Sequence, residues 1–207
     1  METKQKVTNT ADPIAIGWNE KTEIELLEMV YNYASNGLRQ SRQAKEWLSI
    51  KKLTPDITMA CYNSGQLHHR KELAFKQALE RIGFMKRINV GVNSDTVPYT
   101  IFGNFSIMFP LRDANNHIVN FYSVSMKDQR NRYLNQEGFY PAIPDNKTQR
   151  LFIADTILDA ATLLESKVLH KEDSILSLHD GVLLEQHKKV IQSLKHLTEI
   201  IQITTKK

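Results

Sequence analysis

FSIMFPLRDANNHIVNFYSVSMKDQRNRYLN, residues 105–135, holds two β-prone runs with a turn between them. The first run, Ser106 to Leu111, is apolar, and the second, His117 to Ser125, alternates. Between them Asp113-Ala114-Asn115-Asn116 supplies side chains that bond their own backbone and tolerate left-handed angles. The pattern predicts a β-hairpin.

Upstream, residues 1–20 are polar, contain Pro13 and show no period, which predicts a mobile arm. Thr22 followed by Glu25 forms a capping box, and Ile24, Leu27, Tyr31, Ala34 and Leu38 share a helical face. A second helix is expected from Ser41, with Ala44, Trp47 and Leu48 as its apolar stripe. A third is expected at Thr54-Pro55, a cap followed by proline in the first turn. Lys71 to Gly83 reads as an amphipathic helix with Leu73, Ala78, Leu79 and Ile82 inward and Gly83 as its stop. Asn93-Ser94-Asp95 reads as a turn.

Downstream, Gly138 to Lys147, with Pro141 and Pro144, is the expected boundary between residues 21–147 and 148–207. Beyond it come a strand at Leu151–Ala154, a helix at Ile157–Lys167, a strand at Ser174–Leu178, a helix at Leu183–Leu194 and a strand at Glu199–Thr204. This alternation implies right-handed parallel crossovers, with functional groups in loops after the strands.

The 207 residues suffice for one domain or two small ones, and 41% hydrophobic content with 8 Gly and 6 Pro excludes disordered and fibrous classes. A formal charge of +4 permits a polyanionic partner but falls short of a strongly basic nucleic-acid binder. The single cysteine, Cys61, excludes an internal disulfide and a Cys-rich zinc site, and fits a reducing cytoplasm. No stretch approaches the ~18 apolar residues of a membrane span, and the polar METKQKVTNTADP start lacks a signal peptide's apolar core. A soluble, cytoplasmic protein without a membrane partner is expected.

The residues also resemble a known family. DnaG-type bacterial primase cores carry R-I-M-F-P-I-R-D-x-x-G-x-V-I-G-F-G-G-R and then K-Y-L-N. Ile107-Met108-Phe109-Pro110-Leu111-Arg112-Asp113, Ile118-Val119-Asn120-Phe121 and Arg132-Tyr133-Leu134-Asn135 stand at the same spacing. The run from Ser41 to Leu48 is similar to that family's S-x-E-A-x-x-Y-L helix. The second half resembles the start of a TOPRIM domain: Asp155-Thr156-Ile157-Leu158-Asp159 matches E-G-x-x-D, and the segment from Leu176 to His187, one residue longer, is similar to A-S-L-G-T-A-L-T-x-x-H. The resemblance covers about residues 25–204. It implies an α+β fold: a helical and β-hairpin N-terminal subdomain followed by a truncated TOPRIM-like βαβαβ parallel unit.

In that family, carboxylates at strand ends hold Mg²⁺ for attack of a 3′ hydroxyl on a nucleotide. The resemblance therefore makes Asp155 and Asp159 the candidate catalytic residues, and Asp155, Asp159, His179 and Asp180 the candidate cation ligands. The bland alternative has Asp155 or Thr156 capping one helix and Asp180 capping the next. Ser106 stands in place of the arginine before I-M-F-P, with Asn104 two residues back, and Val124 in place of the arginine of F-G-G-R. Ile203-Thr204-Thr205-Lys206-Lys207 stands where D-x-D follows the third strand. No zinc is expected.

The leading expectation is a primase-like protein of DNA replication or mobile-element transfer. It would bind single-stranded DNA, or a replication protein or helicase, and make little or no primer by itself. Lys127, Arg130, Arg132 and Tyr133 are the candidate nucleic-acid contacts, with Arg112 supporting the hairpin. Two alternatives stand beside it: an active Mg-dependent nucleotidyltransferase completed by another chain or by missing C-terminal sequence, and a non-enzymatic interaction module. The last strand is expected to be an open edge suited to a homodimer. His187 reads as a packing residue, His68-His69 as a loop surface, and Cys61 lacks an evident His partner for nucleophilic work.

Overall fold

The computed structural model describes residues 17–88 and 98–203. Most of the expected arm, the Asn93-Ser94-Asp95 turn and residues 204–207 lie outside them. The hairpin forms: β4 (Ser106–Arg112) pairs antiparallel with β5 (Ile118–Ser125), and Asn116 takes the left-handed turn position at φ 67°. Asp113 accepts from the amides of Asn115 and His117 across the turn.

The helices before it follow the residues. Thr22 and Glu25 cap α1 (Glu23–Gln40) reciprocally, Ser41 caps α2 (Arg42–Ile50), and Pro55 opens α3 (Pro55–Thr58). On α1 the buried face is rotated from the expected one. Leu26 and Val30 join Leu27, Ala34 and Leu38, while Ile24 and Tyr31 stay half-buried. On α4 (Leu73–Arg81) the inward residue is Phe75. Leu73 is 60% exposed, because Phe75, Ala78, Leu79 and Ile82 make the i, i+3, i+4, i+7 stripe and Leu73 falls off it.

β1 (Cys61–Asn63) adds to β4, and β6 (Asn131–Tyr133) adds to β5, giving the antiparallel order β1-β4-β5-β6. β1 reaches only to Met108, so at Pro110 strand β4 has a partner on one side alone, the edge condition a strand proline needs. A separate ribbon pairs β2 (Met85–Arg87) with β3 (Tyr99–Ile101). The alternation in β5 does not expose one face: residues 120–124 are all buried. One core, with Met108 and Phe121, packs under α1 and α4. The other, with Ile107, Phe109, Leu111, Tyr122 and Val124, packs against the second half.

That half is parallel. β7 (Arg150–Ala154) lies between β8 (Asp173–Ser177) and β9 (Glu199–Ile203), in the order β8-β7-β9. α5 (Ile157–Glu165) packs on the sheet face of Phe152, Ala154 and Ile175. α6 (Glu185–Ser193) packs on the face of Leu151 and Leu176. The connections after β7 and β8 therefore leave toward opposite faces, which makes a topological switch point at their carboxyl ends. α6 starts later than its periodicity suggests, because His179 and Val182 bridge each other and leave Val182 and Leu183 exposed. The hydroxyl of Tyr140, in the boundary segment, donates to the Thr58 carbonyl at 2.9 Å, and Phe152, Ala154 and Ile175 share a core with Leu48 and Tyr122.

Candidate functional site

The carboxyl ends of β7 and β8 meet the last strand of the antiparallel sheet. The loops after β7 and β8 are tied by backbone: Leu178 donates to the Ala154 carbonyl and Gly181 to the Asp155 carbonyl, both at 2.8 Å. Asp180 sits in this loop at φ 51°, and its Oδ1 accepts from Asn131 Nδ2 on β6 at 3.0 Å. Partial burial raises its pKa. Asp155 turns the other way, its Oδ1 accepting from Gln202 on β9 at 3.3 Å. Thr156 caps α5 by accepting from the Asp159 amide and donates to Asp159 Oδ2 at 2.7 Å. Leu184, not Asp180, is the cap position of α6, and its amide donates to His187 Nδ1 at 3.2 Å.

Mg²⁺, which the primase resemblance implies, needs clustered oxygen donors in near-octahedral order. Among the described residues no three His, Cys, Asp or Glu side chains gather closely enough to hold an ion. Asp155, Asp159 and Asp180 each accept from a different neighbour, and His179 is packed among rings. By themselves these residues do not complete an octahedral Mg²⁺ site.

The imidazole of His179 stacks on Tyr133, with ring centroids 4.3 Å apart at 10°, and meets His187 edge-on at 5.3 Å. Burial pushes His179 down, opposed by the Gly138 carbonyl, and pushes His187 down to about 4, helped by His179. Tyr133 in turn packs 4.8 Å from Tyr122, whose hydroxyl accepts from Asn131 at 3.1 Å and is pushed up to about 12 by burial. Tyr133 to Gln136, His179, Asp180, Val182 and Leu184 enclose a cleft of about 420 Å³.

A strand sends successive side chains to opposite faces, so β6 separates the two residues expected to act together. Tyr133 pairs with Tyr122 and faces this cleft. Arg132 pairs with Ser123 and faces a smaller cleft of about 180 Å³, with Asn104, Ser106, Ser125, Asp128 and Arg130 in its walls. Arg130 donates to Asp128 at 2.6 Å. That bond and one from Ser125 hold Asp128 down at about 2. Lys127 and Arg132 are exposed. Arg112 donates to the Asn116 carbonyl at 2.6 Å and lies 3.8 Å from Glu28, which makes it a hairpin support. Val124 is buried in the core.

Sequence reasoning passed over Asn131, Gln202 and Tyr122. Asn131 was within reach, since it stands two residues before Tyr133 and so shares its face once that segment is read as a strand.

No family model matches the chain. A DNA primase of Haemophilus influenzae is 22% identical over 210 residues, covering 94% of this chain and 35% of that protein. A DnaG primase catalytic domain solved with ssDNA superposes with a TM-score of 0.65 at 12% identity, over 87% of this chain and 60% of that one. The RNA polymerase domain of Mycobacterium tuberculosis primase DnaG, solved with double-stranded DNA, gives 0.68 at 10% identity, over 87% and 62%. The chain thus spans about a third of the curated primase and about three-fifths of the solved domains. By superposition over 87% of its length, it has the catalytic-core fold of DnaG-type DNA primases.

Proposed function

We propose that this chain is a primase-like protein of DNA replication or mobile-element transfer that holds single-stranded DNA and makes little or no primer by itself. One observation carries the reading: Lys127, Arg130 and Arg132 emerge together at the β5–β6 turn and on β6, beside a hydroxyl-lined cleft, while the nearby carboxylates are each held by separate neighbours. Cations along an edge strand neutralise a phosphate backbone without reading sequence, and such affinity falls with salt. Arg130 is partly offset by Asp128, so Arg132 is the principal phosphate contact.

A second reading, a Mg-dependent nucleotidyltransferase, draws on the position of β9, which pairs only with β7 among the described residues. In that reading Asp155, Asp159, His179 and Asp180 supply part of a cation site, and the remaining donors come from another chain or from further sequence. The same free edge is where a second copy would add a strand. Replication proteins or a helicase are the protein partners this function calls for, in the cytoplasm.

Fluorescence-anisotropy titration of a labelled single-stranded oligonucleotide at two salt concentrations, with and without Mg²⁺, tests the reading. Arg132→Ala is expected to weaken binding at low salt and reduce the log–log salt slope by about 1. Binding that is salt-insensitive, or equal in the variant, sinks the proposal. Mg²⁺-dependent thermal stabilisation favours the second reading.

A further inference from the structure

The cleft on the other face of β6 has a different chemistry. It is lined by Tyr133, Leu134, Asn135, Gln136, His179, Asp180, Val182 and Leu184, with no lysine or arginine among them. Its about 420 Å³ lies within the ~300–1,000 Å³ of small-molecule pockets. A single carboxylate there repels a phosphate, so the cleft suits a neutral group. Leu134, Leu184 and the exposed Val182 offer apolar walls to a flat ring.

Several polar groups in it are unspent, the buried Tyr133 hydroxyl among them, which has no hydrogen-bond partner among the described residues. His179 is only 7% exposed, and its Nε2 is buried with no hydrogen-bond partner among the described residues. A buried polar atom left unpaired is costly, which makes this nitrogen a place for a ligand. Asp180 is exposed: its Oδ1 accepts from Asn131 Nδ2, and its Oδ2 accepts from no described residue.

We propose that this cleft accepts one nucleobase of the bound strand, with Asp180 and His179 meeting its hydrogen-bonding edge, and that guanine is preferred. The proposal rests on the single-strand reading above. β6 is then a rim, with phosphates held on its Arg132 face and a base turned to its Tyr133 face. Guanine presents two adjacent N–H donors, which match the two oxygens of a carboxylate; adenine and cytosine present one amino group, and thymine flanks its single N–H with two carbonyls. His179 and Asp180 stand where the resembled primase motif has Gly-Thr, so the pocket belongs to this chain's own residues.

The test compares short oligothymidine strands carrying dG, dT or an abasic site at one central position, titrated against the wild type, Asp180→Asn and Arg132→Ala. Asparagine tolerates the left-handed backbone of residue 180, and a melting curve checks that the variant folds. The dG strand is expected to bind about tenfold tighter than the abasic one. Asp180→Asn should erase that preference and keep the salt slope, whereas Arg132→Ala should do the reverse. Equal affinity for all three strands with salt-dependent binding intact overturns the base site and leaves the phosphate grip. If no strand binds, guanosine monophosphate titrated against the full chain decides alone: a perturbed His179 imidazole signal, absent with uridine monophosphate, sustains the cleft, and an unperturbed one overturns it.

Discussion

His187 is fully buried on α6, with Nδ1 accepting from the Leu184 amide and Nε2 unpartnered among the described residues. Burial first, and His179 second, push its pKa down to about 4, below the ordinary 6.5. The unfolded chain therefore binds more protons between those values. The stability this neutral ring contributes is fully present above about pH 6.5 and is lost as pH falls toward 4. The loss amounts to roughly 2–3 kcal/mol for this residue. Urea denaturation at pH 7 and pH 4.5 should show it, and His187→Gln should narrow the difference between the two. An unchanged difference would mean that other groups set the acid limit. His187 was legible in the sequence as a packing residue. That its ring would meet His179 was not, because residues eight apart are joined here by a loop and a helix start whose path only packing determines.

At the element scale, the register of β5 turns on Asn120. Leu111 faces Asn120 but Arg112 faces Ile118, so β5 carries one extra residue in a bulge. The bulge reverses the sheet face, which is why Ile118 and Phe121, three apart, enter the same core. Asn120 is fully buried and satisfied: Nδ2 donates to the carbonyls of Asn135 and Glu137, and Oδ1 accepts from the amides of Phe121 and Asn135. These bonds fix the segment after β6 that walls the larger cleft. Asn120→Ala leaves the buried Phe121 amide and three part-buried backbone groups of Asn135 and Glu137 without their partner and should cost about 2–4 kcal/mol in chemical denaturation, with loss of base preference before loss of phosphate binding. A cost below ~1 kcal/mol would show that water takes over these bonds. Gly138 belongs to the same corner: at φ 84° a Cβ there would come 2.8 Å from Val119 and 2.9 Å from Leu111.

Across the whole molecule, one core joins the two halves. Leu38, Leu48, Tyr62, Phe109 and Tyr122 from the first pack with Phe152, Ala154, Ile157 and Ile175 from the second. Thr54 before α3 also donates to Glu165 at the end of α5. A shared core of this kind couples the unfolding of both parts. Far-UV circular dichroism and near-UV signals from the tyrosines should report a single coincident transition, and a chain cut at residue 147 should lose its near-UV signal. Two separated transitions would show that the Gly138–Lys147 segment divides independent folding units.

The local chemistry of the chain was sufficient for the helices, the hairpin and the parallel half, but not for the short strands β1, β2, β3 and β6. The Thr22–Glu25 box, the Ser41 cap, Pro55, the Asp113–Asn116 turn and the strand and helix pattern after residue 148 each depend on neighbours a few residues away, and each appears close to where those neighbours put it, α6 starting two residues late at Glu185. Motif spacing carried the resemblance to the primase core for the same reason, since it is written along the chain. The site depended on contacts that no local pattern encodes. Asp155 turned to Gln202, Asp180 turned to Asn131, and Arg132 and Tyr133 were parted to opposite faces of β6. Those choices were made by strand order, by the bulge at Asn120 and by the burial of both faces of β5, and they exist only once residues far apart in sequence are packed against each other.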